Sequence, residues 1–367
     1  ILNVQGRFTG SSNDLIADIK TVNPGFNFDG IVSLTNMQNP ETLQYDLAIN
    51  NATLNKKTIM GFIPAGTLPE NINLPETVNA KGKFKGTKNG FDADLKVATN
   101  YGNFSLKGFL KNFSNPDQAK YDLSFGTEAF NLGTLLGQDS VMGNLSGNFI
   151  AKGTGFDYKK MNTDIIADIN SFYFNKYNYT NAALRANLQK GYLESTGAIN
   201  DPNLILNYDI SSNLANEYPT LVGFVNVDTA RLQPLQLYAD TLDFSLFANI
   251  KANNLKPGSL DVETYIDSIR MLTNTQRIFM DTVSLLATSE AGVDDINFKS
   301  PFAYAHVNGA FDYDKLPTAL TRYINNYYKF QPVLDTTEIR DQQVSFTAQI
   351  KEHPLIKAFV PELVAYD

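Results

Sequence analysis

A chain of 367 residues exceeds one ordinary core of roughly 100 to 150 residues and suits either two or three domains or one elongated repetitive structure. With 43% hydrophobic residues, 25 Phe and 18 Tyr, it has enough apolar side chain to fold, which excludes disorder as its main state. A formal charge of −8 and an isoelectric point near 4.9 exclude the basic footprint of a nucleic-acid binder and argue against a polybasic membrane-surface patch.

Along the chain the dominant pattern is period-two alternation. It predicts strands at Phe26-Phe28-Gly30-Val32-Leu34, Leu43-Tyr45-Leu47-Ile49, Phe91-Ala93-Leu95-Val97, Phe104-Leu106-Gly108-Leu110, Tyr121-Leu123-Phe125 and Leu145-Gly147-Phe149-Ala151. A short helical turn is expected at residues 130–137, closed by Gly137 as a C-cap. Further strands follow at Leu204-Leu206-Tyr208-Ile210, at residues 242–252 and at Val344-Phe346-Ala348-Ile350. In the run 242–252, Leu242, Phe244, Leu246, Ala248, Ile250 and Ala252 share one face and only Phe247 is out of place. Residues 314–329 carry apolar side chains at helical spacing, with Asp314 as cap and Pro317 in the first turn, and predict one amphipathic helix. Turn signals such as Asn23-Pro24-Gly25, Asn39-Pro40, Asn89-Gly90, Asn115-Pro116 and Asp201-Pro202 are closely spaced, and βαβ patterns are missing. The fold class is therefore all-β, with an antiparallel sheet.

Internal repetition is the second signal. Asn3-Val4-Gln5-Gly6-Arg7-Phe8-Thr9-Gly10 matches Asn79-Ala80-Lys81-Gly82-Lys83-Phe84-Lys85-Gly86, and Asn39-Pro40 with Tyr45-Asp46-Leu47 matches Asn115-Pro116 with Tyr121-Asp122-Leu123, each pair offset by 76. A looser copy starts at Asn144 and reaches Asp201-Pro202 and Tyr208-Asp209-Ile210, and Asn308-Gly309-Ala310-Phe311 is a fourth echo. The organisation expected is one elongated repetitive β-structure with approximate repeats 1–78, 79–143, 144–235 and 236–367.

Chemistry-bearing motifs are scarce. Without Cys there is no disulfide scaffold, thiolate metal site or thiol catalysis. The two histidines, His306 and His353, have no suggestive sequence neighbours. The pairs Asp92/Asp94 and Asp312/Asp314 read as the polar face of strands. Gly153-Thr154-Gly155 lacks the third glycine of a dinucleotide loop, and Ser146 is one position off a nucleophile elbow. No catalytic residue, metal or cofactor is expected, and the chain does not read as an enzyme. No apolar run reaches the roughly 18 residues of a membrane-spanning helix. The start at Ile1, without a charged and apolar leader, reads as an excised fragment or mature product.

One-faced amphipathicity leaves open where the apolar face goes: against a second sheet in a sandwich, or onto a long curved sheet, U-shaped in section, with an open apolar concave side. Alternation does not separate the two. The Gly-x-Phe strand starts at Gly6, Gly82 and Gly147, the turn Gly153-Thr154-Gly155-Phe156-Asp157 and the segment 130–137 resemble AsmA-like proteins, in particular the TamB group. The segments 230–235 and 353–363 resemble linking pieces of the TamB-like proteins of Bacteroidetes-type bacteria. The resemblance covers most of the chain. It implies a periplasmic protein of a Gram-negative bacterium with a long β-groove, anchored in the inner membrane through an N-terminal helix outside this segment. Such a protein takes phospholipid acyl chains between the membranes. On that reading Phe104, Leu106, Leu110, Tyr121, Leu123, Leu242, Phe244, Leu246 and Ile250 line the apolar track. The alternatives are a scaffold for outer-membrane protein assembly, with an outer-membrane β-barrel as partner and a sheet edge as its docking site, and a structural repeat or adhesin with a closed core.

Overall fold

A computed structural model describes residues 3–62, 68–313, 315–325 and 342–359. Its 21 strands are antiparallel and form an open sheet that is not closed into a barrel. The chain divides into two units, Ile1–Gly191 with Ser195–Pro202, and Tyr192–Glu194 with Asn203–Asp367.

Unit 1 is a meander. It begins with β1 (Val4–Gly10), β2 (Leu15–Asn23), β3 (Phe26–Thr35), β4 (Gln44–Asn55) and the helix α1 (Lys56–Phe62). It continues with β5 (Thr77–Thr87), β6 (Gly90–Thr99), β7 (Gly102–Lys111), β8 (Lys120–Asn131), α2 (Leu132–Leu136), β9 (Met142–Thr154), β10 (Asn162–Phe174) and β11 (Tyr177–Gln189). From β1 to β11 each strand pairs with the next along the chain. The boundary between the units falls within β12 (Tyr192–Asp201).

Unit 2 runs through β13 (Leu204–Asn213), β14 (Leu221–Arg231), β15 (Leu242–Asn254), β16 (Asp261–Thr273), β17 (Arg277–Met280), β18 (Val283–Glu290), β19 (Val293–Lys299) and β20 (Ala303–Ala310), then α3 (Leu316–Asn325), β21 (Gln343–Ile350) and α4 (Pro354–Phe359). β16 pairs with β18 along Asp261 to Ile266 and with β17 along Ile269 to Leu272.

Residues paired across antiparallel strands point to the same side of the sheet, so the registers turn each strand's alternation into continuous rows. One row runs Phe84, Ala93, Gly108, Leu123, Ala151, Ile165 across β5 to β10. The opposite face carries cross-strand ion pairs, among them Lys85–Asp46 at 3.7 Å, Lys107–Asp94 at 3.9 Å and Lys152–Asp122 at 3.1 Å. These are exposed and contribute little each. They set the register instead, because a one-residue slip would move every charge to the apolar side.

The two sequence copies are copies in geometry. β7 begins at 102 where β3 begins at 26, β8 at 120 where β4 begins at 44, and α2 at 132 where α1 begins at 56, each a difference of 76. Asn36 and Asn112 both take positive φ, 63° and 57°, and their amides donate to Thr42 O at 3.3 Å and Gln118 O at 3.4 Å. Asn tolerates that region because its short polar side chain bonds locally. Asn55 and Asn131 cap the helices, accepting from Thr58 N at 2.8 Å and Thr134 N at 3.0 Å. In the second copy, Gly82 of β5 has φ of 131°, and a Cβ there would lie 2.0 Å from Asp94 O, so the strand approaches its neighbour too closely for any side chain.

The nine strands expected from alternation are all present. α2 ends on Gly137 at φ 65°, as its sequence predicts. The described part of the helix expected at 314–329 is α3; residues 314 and 326–329 lie outside the described residues. Two further short helices, α1 and α4, were not expected. β21 departs from the half-buried pattern: Phe346 is 70% exposed, since among the described residues this strand pairs with β20 alone.

Candidate functional site

Five of the nine predicted track residues meet in unit 1. Phe104, Leu106 and Leu110 project from β7, Tyr121 and Leu123 from β8, and the register Leu110–Tyr121, Gly108–Leu123, Leu106–Phe125 puts them on one face. Tyr121 is buried and the other four are half-buried. Their rings and those of neighbouring strands touch in sequence: Phe104 packs on Phe125 and edge-on to Phe130, both at 5.6 Å between centroids, and Phe125 continues to Phe149 at 6.5 Å. A second chain of rings runs Tyr45, Phe84, Phe91 at 5.9 and 5.6 Å. Tyr121 stacks on Phe156 at 5.6 Å.

The other four, Leu242, Phe244, Leu246 and Ile250, form a separate patch in unit 2. All project from one face of β15, whose partners there include Val227, Ala230, Ile266 and Met271. Leu242 is buried and the rest are half-buried. Leu246 sits at a bulge, opposite the step where Ser268 takes φ of 58°. Phe247, out of place in the sequence pattern, lies on the other face and stacks on Phe224 at 5.7 Å.

The apolar face is exposed in a way that a sandwich core is not. Among the described residues the larger side chains that are almost wholly buried are Phe311, Ile278 and Leu235 and the acids Asp201 and Asp294. On the unit 1 face Phe104, Phe125 and Phe149 touch ring to ring and shield one another sideways, and all three stay half-buried. The row positions across β5 to β10 hold no charged side chain, so the surface offers dispersion and hydrophobic contact without a fixed anchor.

The expected track named nine residues; the aromatic side chains that touch or neighbour its unit 1 part, Tyr45, Phe84, Phe91, Phe125, Phe130 and Phe149, were not among them. Most belong to strings already visible in the sequence. The missing information was the register that places neighbouring strings on one face.

Both histidines are engaged locally. His306 Nε2 lies 2.8 Å from Asp295 Oδ2, and this bond, helped by Asn308 and Asn297, holds the Asp295 carboxyl below its ordinary range. His353 accepts from Leu355 N through Nδ1 at 3.1 Å, and burial pulls its pKa down. Among the described residues no three His, Asp or Glu cluster as metal ligands, and no helix is long and apolar enough to cross a membrane. No family model matches the sequence, and neither curated proteins nor solved structures yield a match.

Proposed function

We propose that this chain is a segment of an AsmA-like protein of the TamB group and that its apolar face conducts phospholipid acyl chains through the periplasm between the inner and outer membranes. The observation that carries the reading is the continuous, uncharged and half-exposed apolar face of unit 1. Burying each methylene contributes roughly 0.8 kcal/mol, so a tail of about a dozen carbons gains about 10 kcal/mol, comparable to the 4 to 15 kcal/mol lost on association. Binding of that size is reversible, and a row without a charged anchor lets a chain slide along it.

The test is photocrosslinking of the purified protein with a diazirine-labelled phospholipid. Leu106→Asp and Leu246→Asp should lower adduct yield about tenfold, since a buried carboxylate opposes an acyl chain, while Ser124→Asp, on the exposed polar face of β8, leaves it unchanged. Circular dichroism accompanies each variant. Wholesale unfolding of Leu106→Asp would assign this face to a closed core and end the proposal.

A second reading, a scaffold that pairs with client strands for outer-membrane protein assembly, draws on β1. This strand is exposed along its whole length and, among the described residues, pairs with β2 alone. Adducts of a client peptide confined to β1, with no lipid adducts on β7 or β8, would favour it.

A further inference from the structure

Among the places where the polar faces of the two copies in unit 1 differ, one row opens a site. In the first copy that row reads Gln5, Lys20, Asp29, Asn51 across β1 to β4. Lys20 Nζ lies 3.8 Å from Asp29 Oδ2, and the neighbouring Asn50 Nδ2 donates to Asp29 Oδ1 at 3.0 Å, so the ammonium is compensated and the space filled. In the second copy the row reads Lys81, Lys96, Ser105, Gly126 across β5 to β8. At the offset of 76, Gln5 has become Lys81, Asp29 has become Ser105 and Asn50 has become Gly126.

Three consequences follow at the same place. Lys81 and Lys96 face each other directly across β5 and β6, an arrangement of like charges that destabilises a sheet. The next row keeps opposite charges in both copies, Arg7 against Asp18 and Lys83 against Asp94, whereas a second like pair, Lys111 against Lys120, faces across the far end of β7 and β8. Neither Lys81 nor Lys96 forms an ion pair among the described residues. Removal of the acid and the amide leaves a depression of about 530 Å³ over Ser105 and Gly126. A Cβ at Gly126 would crowd Ser105 Oγ at 2.9 Å and Asn148 Oδ1 at 3.2 Å, so glycine keeps the floor open. Asn79, Asn103 and Asn148 add amides to the rim. Glu128, also on the rim, is within 3.5 Å of the Asn103 amide nitrogen.

We propose that this depression binds a phosphate group, which takes the position that the Asp29 carboxylate holds in the first copy. Two ammonium groups, a hydroxyl and side-chain amides are donors suited to tetrahedral oxyanions, and lysine serves such ligands as a point charge. The site lies on the face opposite the acyl track and stands independently of it.

The test titrates the purified chain with inorganic phosphate, following the side-chain NMR signals of Lys81 and Lys96, with Lys83 and Lys107 as references. The decisive variant is Lys81→Gln combined with Ser105→Asp, which restores the first copy's Gln5 and Asp29 beside Lys96 while Gly126 stays unchanged. Expected are saturable shifts confined to Lys81 and Lys96, weakened by added sodium chloride and reduced roughly tenfold in affinity in the double variant. Vesicles of phosphatidylglycerol, against phosphatidylcholine alone, form a second arm. Shifts with vesicles but not with inorganic phosphate assign the phosphate to a lipid headgroup, and shifts with inorganic phosphate alone assign it to a soluble ligand. Non-saturating shifts shared by all four lysines, or unchanged affinity in a double variant whose backbone spectrum is intact, would overturn the proposal.

Discussion

Unit 1 and unit 2 are built from the same alternating strands but treat their apolar faces differently. In unit 1 the deeply buried positions are mostly small, such as Ala17, Ala93 and Ala167, while Phe104, Phe125 and Phe149 stay half-exposed. In unit 2 one end of the face is closed. The segment between β15 and β16 brings Leu255 and Leu260 onto Ala252, Val262 and Ala287, with Leu221 and Ile296 alongside. That segment is latched by Asp294, wholly buried, whose carboxylate accepts from Gly258 N at 2.8 and 3.0 Å and from Ser289 Oγ at 2.5 Å. Ser289 Oγ in turn accepts from Leu260 N at 2.5 Å. An apolar strand face becomes dry core only where the chain supplies both apolar cover and partners for the backbone of the covering loop.

Breaking the latch should have the largest effect. Asp294→Ala leaves the half-buried Gly258 N–H and the Ser289 hydroxyl without their charged acceptor, a loss of about 3 kcal/mol. Hydrogen exchange should show the Gly258 and Leu260 amides losing protection while those of β6 to β9 keep theirs. Protection unchanged at Gly258 would mean that apolar packing alone holds the loop.

The contrast sharpens with two matched truncations. Leu260→Ala, at a side chain 6% exposed in the closed end, should lower stability by about 2 to 3 kcal/mol in urea unfolding. Leu106→Ala, half-buried on the open face, should lower it by about 1 kcal/mol, because much of its surface already meets water. Equal losses would mean that the unit 1 face is covered as thoroughly as the closed end of unit 2, and the comparison would collapse.

Much of unit 1 was legible in its sequence, for a physical reason: strands such as Phe91-Ala93-Leu95-Val97 alternate without interruption, and the offset of 76 repeats both strands and turns. In unit 2, β14 begins with the nearly continuous apolar run Leu221-Val222-Gly223-Phe224-Val225, and its pairing with β15 shifts between Val227 and Ala230. A bulge of that kind breaks the period of two on which the strand signal rests. α1 carries no apolar period, yet its Asn55 cap stands 76 residues before the Asn131 cap of α2, so the repeat contained the signal that periodicity lacked. The lysine row was visible only once register placed Lys81, Lys96 and Ser105 side by side, since they are far apart in the chain. The exposure of the apolar face lies outside sequence patterning altogether, because the same alternation serves a sandwich and an open sheet.

The smallest expected effect concerns acid at the end of unit 2. His353 packs its ring 6.2 Å from Phe302 and, through neutral Nδ1, accepts the Leu355 amide at the start of α4. Burial lowers its pKa from 6.5, so in the folded state it resists a proton that the detached segment takes up readily. The sign follows from linkage: the unfolded form binds more protons between the two values, so docking is fully stable above pH 6.5 and weakens as pH falls below it. Asp295 behaves differently. Its pKa lies below 3.8, chiefly through His306, so its contribution persists through mild acid and is lost only as pH falls below that value. Between those two ranges the Leu355 and Ile356 amides should exchange faster, after correction for intrinsic rates, while the β19–β20 amides around Asp295 hold. His353→Gln should remove the pH dependence at α4 without altering that at Asp295. Simultaneous loosening of both regions would mean that α4 and the β19–β20 pair open as one cooperative element.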